Sequence, residues 1–459
     1  MRPTKWRRST HVLIGVAVLI LVAAVVGVAA VNANDHREVV ALPAQPAAVT
    51  PQPAVVALAD TAPEPLPARL AAVLAPFAAN PDLGLLGGRV TDAETGEQLW
   101  ERGDDVPMQP ASVNKVLTAA AALLSLDRDA VLTTEVLMDP DEPGLVILKG
   151  GGDPTLSAAA PGESTWYRGA ARISDLAEQV RDAGFAATSV QVDLSAYSGP
   201  TLAPGWDPLD IKNGDIAPME SVMLDGGRIQ PVSVDSWRSD TPGLDAGRAL
   251  AVALGVDPKG VTVIRTTPAN AESIGEVHSP PLIERLRQMM NDSDNVMAES
   301  TGREVAAQRG LPQSFDGAAE AVLAELKDND INTAGAFLRD SSGLSVEDRL
   351  TALTLDEVVN VAVGDEHPRL RPLVDLLPIA GGSGTLSNRY LDTDAGRDAA
   401  GFLRAKTGSL TGTNALAGIV TDSSGRVLTF SLISNNAGPT GRTAIDALAA
   451  ALRSCGCGP

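Results

Sequence analysis

The chain reads as an α/β protein of the α+β kind, on three observations. β-Rich segments stand near both ends of the folded stretch, an almost unbroken apolar helix lies between them, and the middle of the chain alternates short strands with helices. With 459 residues, 44% of them hydrophobic and only 20% charged, there is enough apolar material to bury real cores, which excludes a disordered protein. Setting 57 acidic against 36 basic residues gives a net charge of −21, so the basic footprint of a nucleic-acid binder is missing.

The elements follow in order. Arg2, Lys5, Arg7 and Arg8 precede an uncharged apolar run from Val12 to Val31. At about 1.5 Å per residue that run is long enough for a hydrocarbon core of about 30 Å, with the basic flank kept in the cytoplasm. It reads as an uncleaved anchor, or as a secretory signal cleaved near Val31-Asn32-Ala33. Residues 1–31 form this leader, and 32–65 a linker in which Pro43, Pro46, Pro51, Pro53, Pro63 and Pro65 interrupt any helix. The folded body is then expected outside the cytoplasmic membrane.

Leu85 to Val90 and Gln98 to Trp100, joined through Glu94-Thr95-Gly96, predict a hairpin. Val113 to Leu126, introduced by Pro110, is too apolar all round to be anything but a buried helix. The α/β insertion runs from about residue 133 to 276, with strands within Val131–Leu148, Ser189–Leu194 and Val261–Arg265, and helices at Ile173–Ala183 and Leu244–Leu254. After it come a helix with Leu282, Leu286 and Met289 on one side, a second hairpin over Asn414–Thr421 and Arg426–Ser434, and a last helix from about Pro439 to Arg453. The bipartite body is thus 66–132 with 277–454, and 455–459 is a tail. Strands at both ends suggest one sheet.

Three short motifs carry chemistry. Ser112-Val113-Asn114-Lys115 opens the buried helix, and i and i+3 stack on one helical face, so the Lys115 amine can reach the Ser112 hydroxyl as a base beside a nucleophile. The chain has seven lysines, and this is its one Ser-x-x-Lys. Taken alone, the motif reads rather as a capping serine and a solvated lysine. Ser293-Asp294-Asn295 follows 181 residues later and Lys406-Thr407-Gly408 another 113 residues on. The first falls in a turn after a helix, the second on a strand. A lone Lys-Thr-Gly can be a turn beside an edge strand, but the ordered trio is that of serine β-lactamases and penicillin-binding proteins.

With Gly150-Gly151-Gly152-Asp153-Pro154, Ser342-Gly343-Leu344-Ser345 and Gly384-Thr385-Leu386, the chain resembles the class C low-molecular-mass penicillin-binding proteins, the D-alanyl-D-alanine carboxypeptidase/endopeptidase family, over about Leu66 to Arg453. The resemblance implies an antiparallel five-stranded sheet flanked by helices, with extra domain material inserted between the first and second motifs. It implies Ser112 as nucleophile and Lys115 as base, its pKa depressed by burial and by Lys406. Ser293 would relay a proton to the leaving amine, and Asn295 would hold the substrate amide and orient Lys115. Lys406, Thr407 and Ser409 would bind the terminal carboxylate, Gly408 would let the substrate approach, and the N–H groups of Ser112 and Ser409 would form the oxyanion hole. Asp294 reads as structural. The partners implied are peptidoglycan stem peptides, β-lactams as covalent inhibitors and the membrane through the leader; no cofactor and no metal enters.

Two departures stand out: Ser409 replaces the usual threonine and keeps the hydroxyl, and Val346 stands where a basic residue often follows the Ser-Gly-Leu-Ser block. Readings of another class are a β-lactamase or esterase on the same scaffold, for which no separate glutamate motif is found, and a non-catalytic peptidoglycan-binding scaffold. Of the four histidines, His278 reads as capping or packing. Without a Gly-x-Ser-x-Gly elbow a Ser-His-Asp hydrolase is poorly supplied. Cys455 and Cys457 fit a labile bridge, a metal ligand pair or an inert tail. Trp166 and Trp206 read as core of the insertion.

Overall fold

The computed structural model describes residues 62–458. The leader and the linker up to residue 61 lie outside the described residues. Among these, no helix is long and apolar enough to cross a membrane.

Strands β1 (Leu85–Asp92) and β2 (Gln98–Arg102) form the first hairpin; β8 (Leu403–Leu410), β9 (Thr413–Thr421) and β10 (Val427–Asn435) come from the other end of the chain. They join in one antiparallel sheet of order β2-β1-β10-β9-β8, with Leu85 opposite Asn435 and Asp92 opposite Leu428. Strand alternation sorts β10 between two layers. Leu428, Phe430 and Leu432 pack under α1 (Pro67–Ala78) and α9 (Gly441–Ser454), beside Leu70, Leu74, Ile445 and Leu448. Ile433 faces the other core, built around α2 (Lys115–Ser125) and α8 (Ala352–Val363).

Every residue of α2 from Lys115 to Leu124 is buried, as its composition predicts. The expected start at Val113 is modified: a 3₁₀ turn over Ala111–Asn114 leads into the α-helix, entered through Ala111 at φ 51°. α5 (Leu282–Asp292), α6 (Asn295–Gln308) and α7 (Phe315–Asp328) complete this layer, burying Leu286, Met289 and Val322 against α2.

The α/β insertion is present, with its own five-stranded sheet of order β6-β5-β4-β3-β7. β3 (Thr133–Met138) pairs antiparallel with β4 (Leu145–Gly150) and with β7 (Glu272–His278), while β5 (Ser189–Asp193) lies parallel to β4 and to β6 (Thr262–Ile264). α3 (Ile173–Asp182) and α4 (Pro242–Leu254) cover it, burying Leu176, Val180 and Leu250. β7 escapes sequence reading because this edge strand shows mostly exposed positions, among them Glu272 and Glu276, and lacks an apolar run. His278 neither caps nor packs; it lies exposed on β7, its ring nitrogen 3.2 Å from Thr133 Oγ1. Of the readings for the two cysteines the bridge is the one formed: Cys455 and Cys457 are joined as a disulfide and buried against the α1/α9 layer, and Leu66 N–H donates to Cys457 O.

Candidate active site

The three motifs converge between the first sheet and the helical layer. Ser112 sits half-buried on the 3₁₀ turn. The left-handed backbone of Ala111, a residue with a Cβ and no exposure, is a strained entry of the sort held where surrounding structure over-determines it. One turn on, Lys115 Nζ lies 3.0 Å from Ser112 Oγ, 2.6 Å from Asn295 Oδ1 and 2.8 Å from the Ser342 carbonyl.

Ser293 ends α5 in a left-handed conformation, φ 59°, so the chain turns sharply before α6. Asp294 caps α6 by accepting from Met297 N–H at 2.9 Å, and its other oxygen accepts from the Tyr167 hydroxyl at 2.8 Å. This is the structural part read for it. Asn295, the first residue of α6, accepts from Lys115 and donates from Nδ2 to the Asp215 carbonyl, 3.0 Å away, in the insertion. On β8, Lys406 Nζ donates to Ser293 Oγ at 2.9 Å and to Thr407 O at 2.8 Å, and Thr407 Oγ1 donates to Thr385 Oγ1 at 2.8 Å. Gly408 is required by close approach: a Cβ there would stand 2.6 Å from Pro110 O and 3.1 Å from Ser112 N. Ser409, opposite Asn414, is exposed at the mouth of the site.

Both lysines are fully buried, and burial disfavours their charged forms. It brings Lys115 down to about 8, against the opposing pull of Asp340, Glu299, Asp294 and Asp348. The repulsion between the two lysines shows most strongly at Lys406. Lys406 is held well below the ordinary lysine range, first by burial and then by the charges of Lys115 and Arg389. The reason is the unequal surroundings: carboxylates ring Lys115, whereas no carboxylate offsets the repulsion at Lys406.

Sequence reasoning missed the groups that hold the motif residues. Glu299, one turn after Asn295 on α6, accepts from the N–H groups of Ser341 and Ser342 at 3.0 and 2.9 Å. Asp340 Oδ1 accepts from Ser342 and Gly343 N–H, and Oδ2 from Ser345 N–H and Trp206 Nε1 at 2.7 Å. These two buried carboxylates fix the loop whose Ser342 carbonyl receives Lys115. Trp206 is therefore core, as expected, with a polar handle on the site. The Ser-Gly-Leu-Ser block is visible in sequence as a family block, but nothing in its spacing says what it touches.

Residues 70–237 and 230–454 match the model of the D-Ala-D-Ala carboxypeptidase 3 (S13) family, and residues 1–57 that of the Carboxypeptidase Rv3627c-like, N-terminal domain. The chain is 70% identical over 459 residues to Carboxypeptidase DacB of Mycolicibacterium smegmatis, and 60% identical over 460 residues to Carboxypeptidase Rv3627c of Mycobacterium tuberculosis, with 100% of both chains covered in each case. Penicillin binding protein 4 of Haemophilus influenzae shares the fold, with a TM-score of 0.66 at 22% identity over 83% of this chain and 97% of that one. The resemblance drawn from the motifs holds: the chain belongs to the D-Ala-D-Ala carboxypeptidase 3 (S13) family, with the fold of a class C low-molecular-mass penicillin-binding protein and the hydrolase activity of a D-alanyl-D-alanine carboxypeptidase.

Proposed function

We propose that the enzyme removes the terminal D-alanine of peptidoglycan stem peptides through an acyl-enzyme on Ser112. The observation that carries this reading is the pair of lysine contacts, Lys115 Nζ on Ser112 Oγ and Lys406 Nζ on Ser293 Oγ. Lys115 in its neutral form takes the Ser112 proton as Oγ attacks the penultimate D-Ala carbonyl carbon. The negative charge that develops on the carbonyl oxygen is met by the N–H groups of Ser112 and Ser409. Collapse breaks the peptide bond as Ser293 passes a proton to the leaving nitrogen, releasing D-alanine. Water then adds to the ester, and Oγ recovers its proton. Asn295 holds the substrate amide and keeps Lys115 in place, and Lys406, Thr407 and Ser409 grip the terminal carboxylate.

β-Lactams, as acylating analogues of the same bond, would be trapped on Ser112. The body acts outside the cytoplasmic membrane, anchored by Val12–Val31 or released if that leader is cleaved, with 133–276 as an inserted domain. DD-endopeptidase activity is favoured by a cavity of about 530 Å³ beside Ser293 and Asn295, larger than a departing D-alanine needs. The test is covalent labelling by a fluorescent penicillin, with the adduct located by mass spectrometry and Ser112→Ala as control. A stable adduct on Ser112 and slow release of D-alanine from D-Ala-D-Ala peptides are expected. Rapid penicillin turnover would instead make the enzyme a β-lactamase, and stem-peptide binding without turnover a scaffold.

A further inference from the structure

The cavity beside Ser293 has two walls. One belongs to the second motif and its neighbours, Ser293, Asn295 and Thr385; the other is supplied by the insertion through Trp166, Arg228 and Arg238. Arg228 and Arg238 face each other across an isolated antiparallel bridge. Like charges placed directly opposite across strands repel. Among the described residues, the side chains of both arginines hydrogen-bond only to backbone carbonyls: Arg228 to Ser233 and Val234, Arg238 to Gly214 and Gly226. Arg238 is 3% exposed. The Arg228 guanidinium stacks 3.5 Å from the centre of the Trp166 ring. Arg228 Nε and Trp166 Nε1 are buried donors with no partner. Unmade buried donors are costly, and here two of them meet at one stacked pair next to a cavity.

Among the described residues no carboxylate forms an ion pair with either arginine, although the charges of Asp294 and Asp225 act on Arg228. Asp294 is committed to Met297 N–H and the Tyr167 hydroxyl, and Asp292 accepts from Asn291. Burial holds the Asp215 carboxyl above its usual range against the opposing charge of Arg238, and Arg228 sits below its own, through burial first and the charge of Arg238 second, against the pull of Tyr167, Asp294 and Asp225.

We infer that Arg228 and Arg238, with the Trp166 indole, form an anion subsite of the insertion that binds a second carboxylate carried by the leaving group of the peptide substrate. The inference rests on the proposed reaction, because it is Ser293, as proton donor to the leaving nitrogen, that assigns this cavity to the leaving side. The subsite makes the insertion a specificity element: a leaving residue with only its α-carboxylate is served by Lys406, Thr407 and Ser409, and a larger acidic one gains a charge-assisted contact besides.

The test compares N-acylated D-Ala–D-Glu with isosteric D-Ala–D-Gln, and the pair one methylene longer, D-2-aminoadipate with its amide. Turnover by the wild type reads the reaction, and peptide affinity of the Ser112→Ala protein reads the subsite without chemistry. The acidic member is expected to bind about tenfold more tightly than the amide at one or both lengths, as one charge-assisted contact provides. Arg228→Gln should collapse that ratio towards one and Arg228→Lys should retain a preference, the ratio being insensitive to a general loss of rate. Equal affinity for acid and amide at both lengths, or an undiminished ratio in Arg228→Gln, overturns the subsite. Discrimination in binding without any D-Ala-D-Xaa cleavage by the wild type would leave the subsite standing and overturn the proposed reaction.

Discussion

The first sheet with its helical layer and the insertion relate to the chemistry in different ways. The former contributes two sets of side chains joined by contacts within 3.0 Å, Lys115 with Ser112 and Asn295, and Lys406 with Ser293. The insertion sends single atoms to that cluster: the Asp215 carbonyl to Asn295, the Trp206 indole N–H to Asp340 and the Tyr167 hydroxyl to Asp294. One region holds the reacting groups, and the other holds what holds them. If this division is right, substitutions in the first region should strike the rate and leave stability nearly intact, whereas substitutions in the second should strike stability and leave a reduced but real rate.

The largest effect is expected for Ser112→Ala. Turnover of a D-Ala-D-Ala peptide should fall by about 10⁴-fold or more, and penicillin labelling should vanish, with the melting temperature within a few degrees of wild type. A mutant that keeps the label would place the nucleophile elsewhere. Next comes Gly408→Ala. The added methyl must push away Pro110 O and Ser112 N, which are backbone atoms, so β8 shifts relative to the nucleophile. A displacement on the scale of an ångström costs about 10²-fold in kcat/KM, measured with the same peptide. Full activity in this variant would mean that the approach of β8 to the turn is looser than described.

The contrast also explains what the sequence discloses. Ser112, Lys115, Ser293, Asn295 and Lys406 are legible because reacting side chains must be of certain types at certain separations, and the i, i+3 step of a helix turns spacing into proximity. The buried helix and both hairpins are legible from periodicity, and β1 pairs with β10 as strands at both ends suggest. Asp340, Glu299, Tyr167, Trp206 and Asp215 are not legible as site support, because a carboxylate that accepts from loop N–H groups, or a carbonyl that meets an amide 80 residues away, obeys no local pattern. Arg228 and Arg238 look in sequence like two surface cations; only the bridge between them and the stacked Trp166 mark them out.

A third, smaller effect concerns pH. With Lys115 near 8, only about a tenth of it is neutral at pH 7 and about nine-tenths at pH 9, so kcat/KM should rise about tenfold over that range and then level off. The sign follows from the base being needed without its proton. Glu299→Gln removes a negative charge that favours protonated Lys115 while keeping an acceptor for Ser341 and Ser342, so the rising limb should move to lower pH. Rate profiles of the two proteins measure the shift; an unmoved limb would mean that Glu299 acts on the loop alone.

The smallest effect on rate is expected from the insertion, and here the comparison can be sharpened by setting two of its residues against each other. Tyr167→Phe leaves Asp294 Oδ2, a largely buried oxygen, without its donor, at a cost of about 1–3 kcal/mol. Trp206→Phe takes one of two donors from Asp340 Oδ2, and Ser345 N–H remains, so the polar loss is about 1 kcal/mol, although a smaller ring also leaves space beside Phe315. Chemical denaturation should show both variants destabilised by about 1–3 kcal/mol, Tyr167→Phe through the lost donor and Trp206→Phe through the lost donor and the space left beside Phe315 together. Peptide turnover at saturating substrate should change by only a few-fold in either, because Met297 N–H still anchors Asp294 and Gly343 N–H still anchors Asp340. The reverse outcome, stability intact and turnover lost by orders of magnitude, would move Tyr167 or Trp206 from the scaffold of the site into its chemistry and erase the division between the two regions.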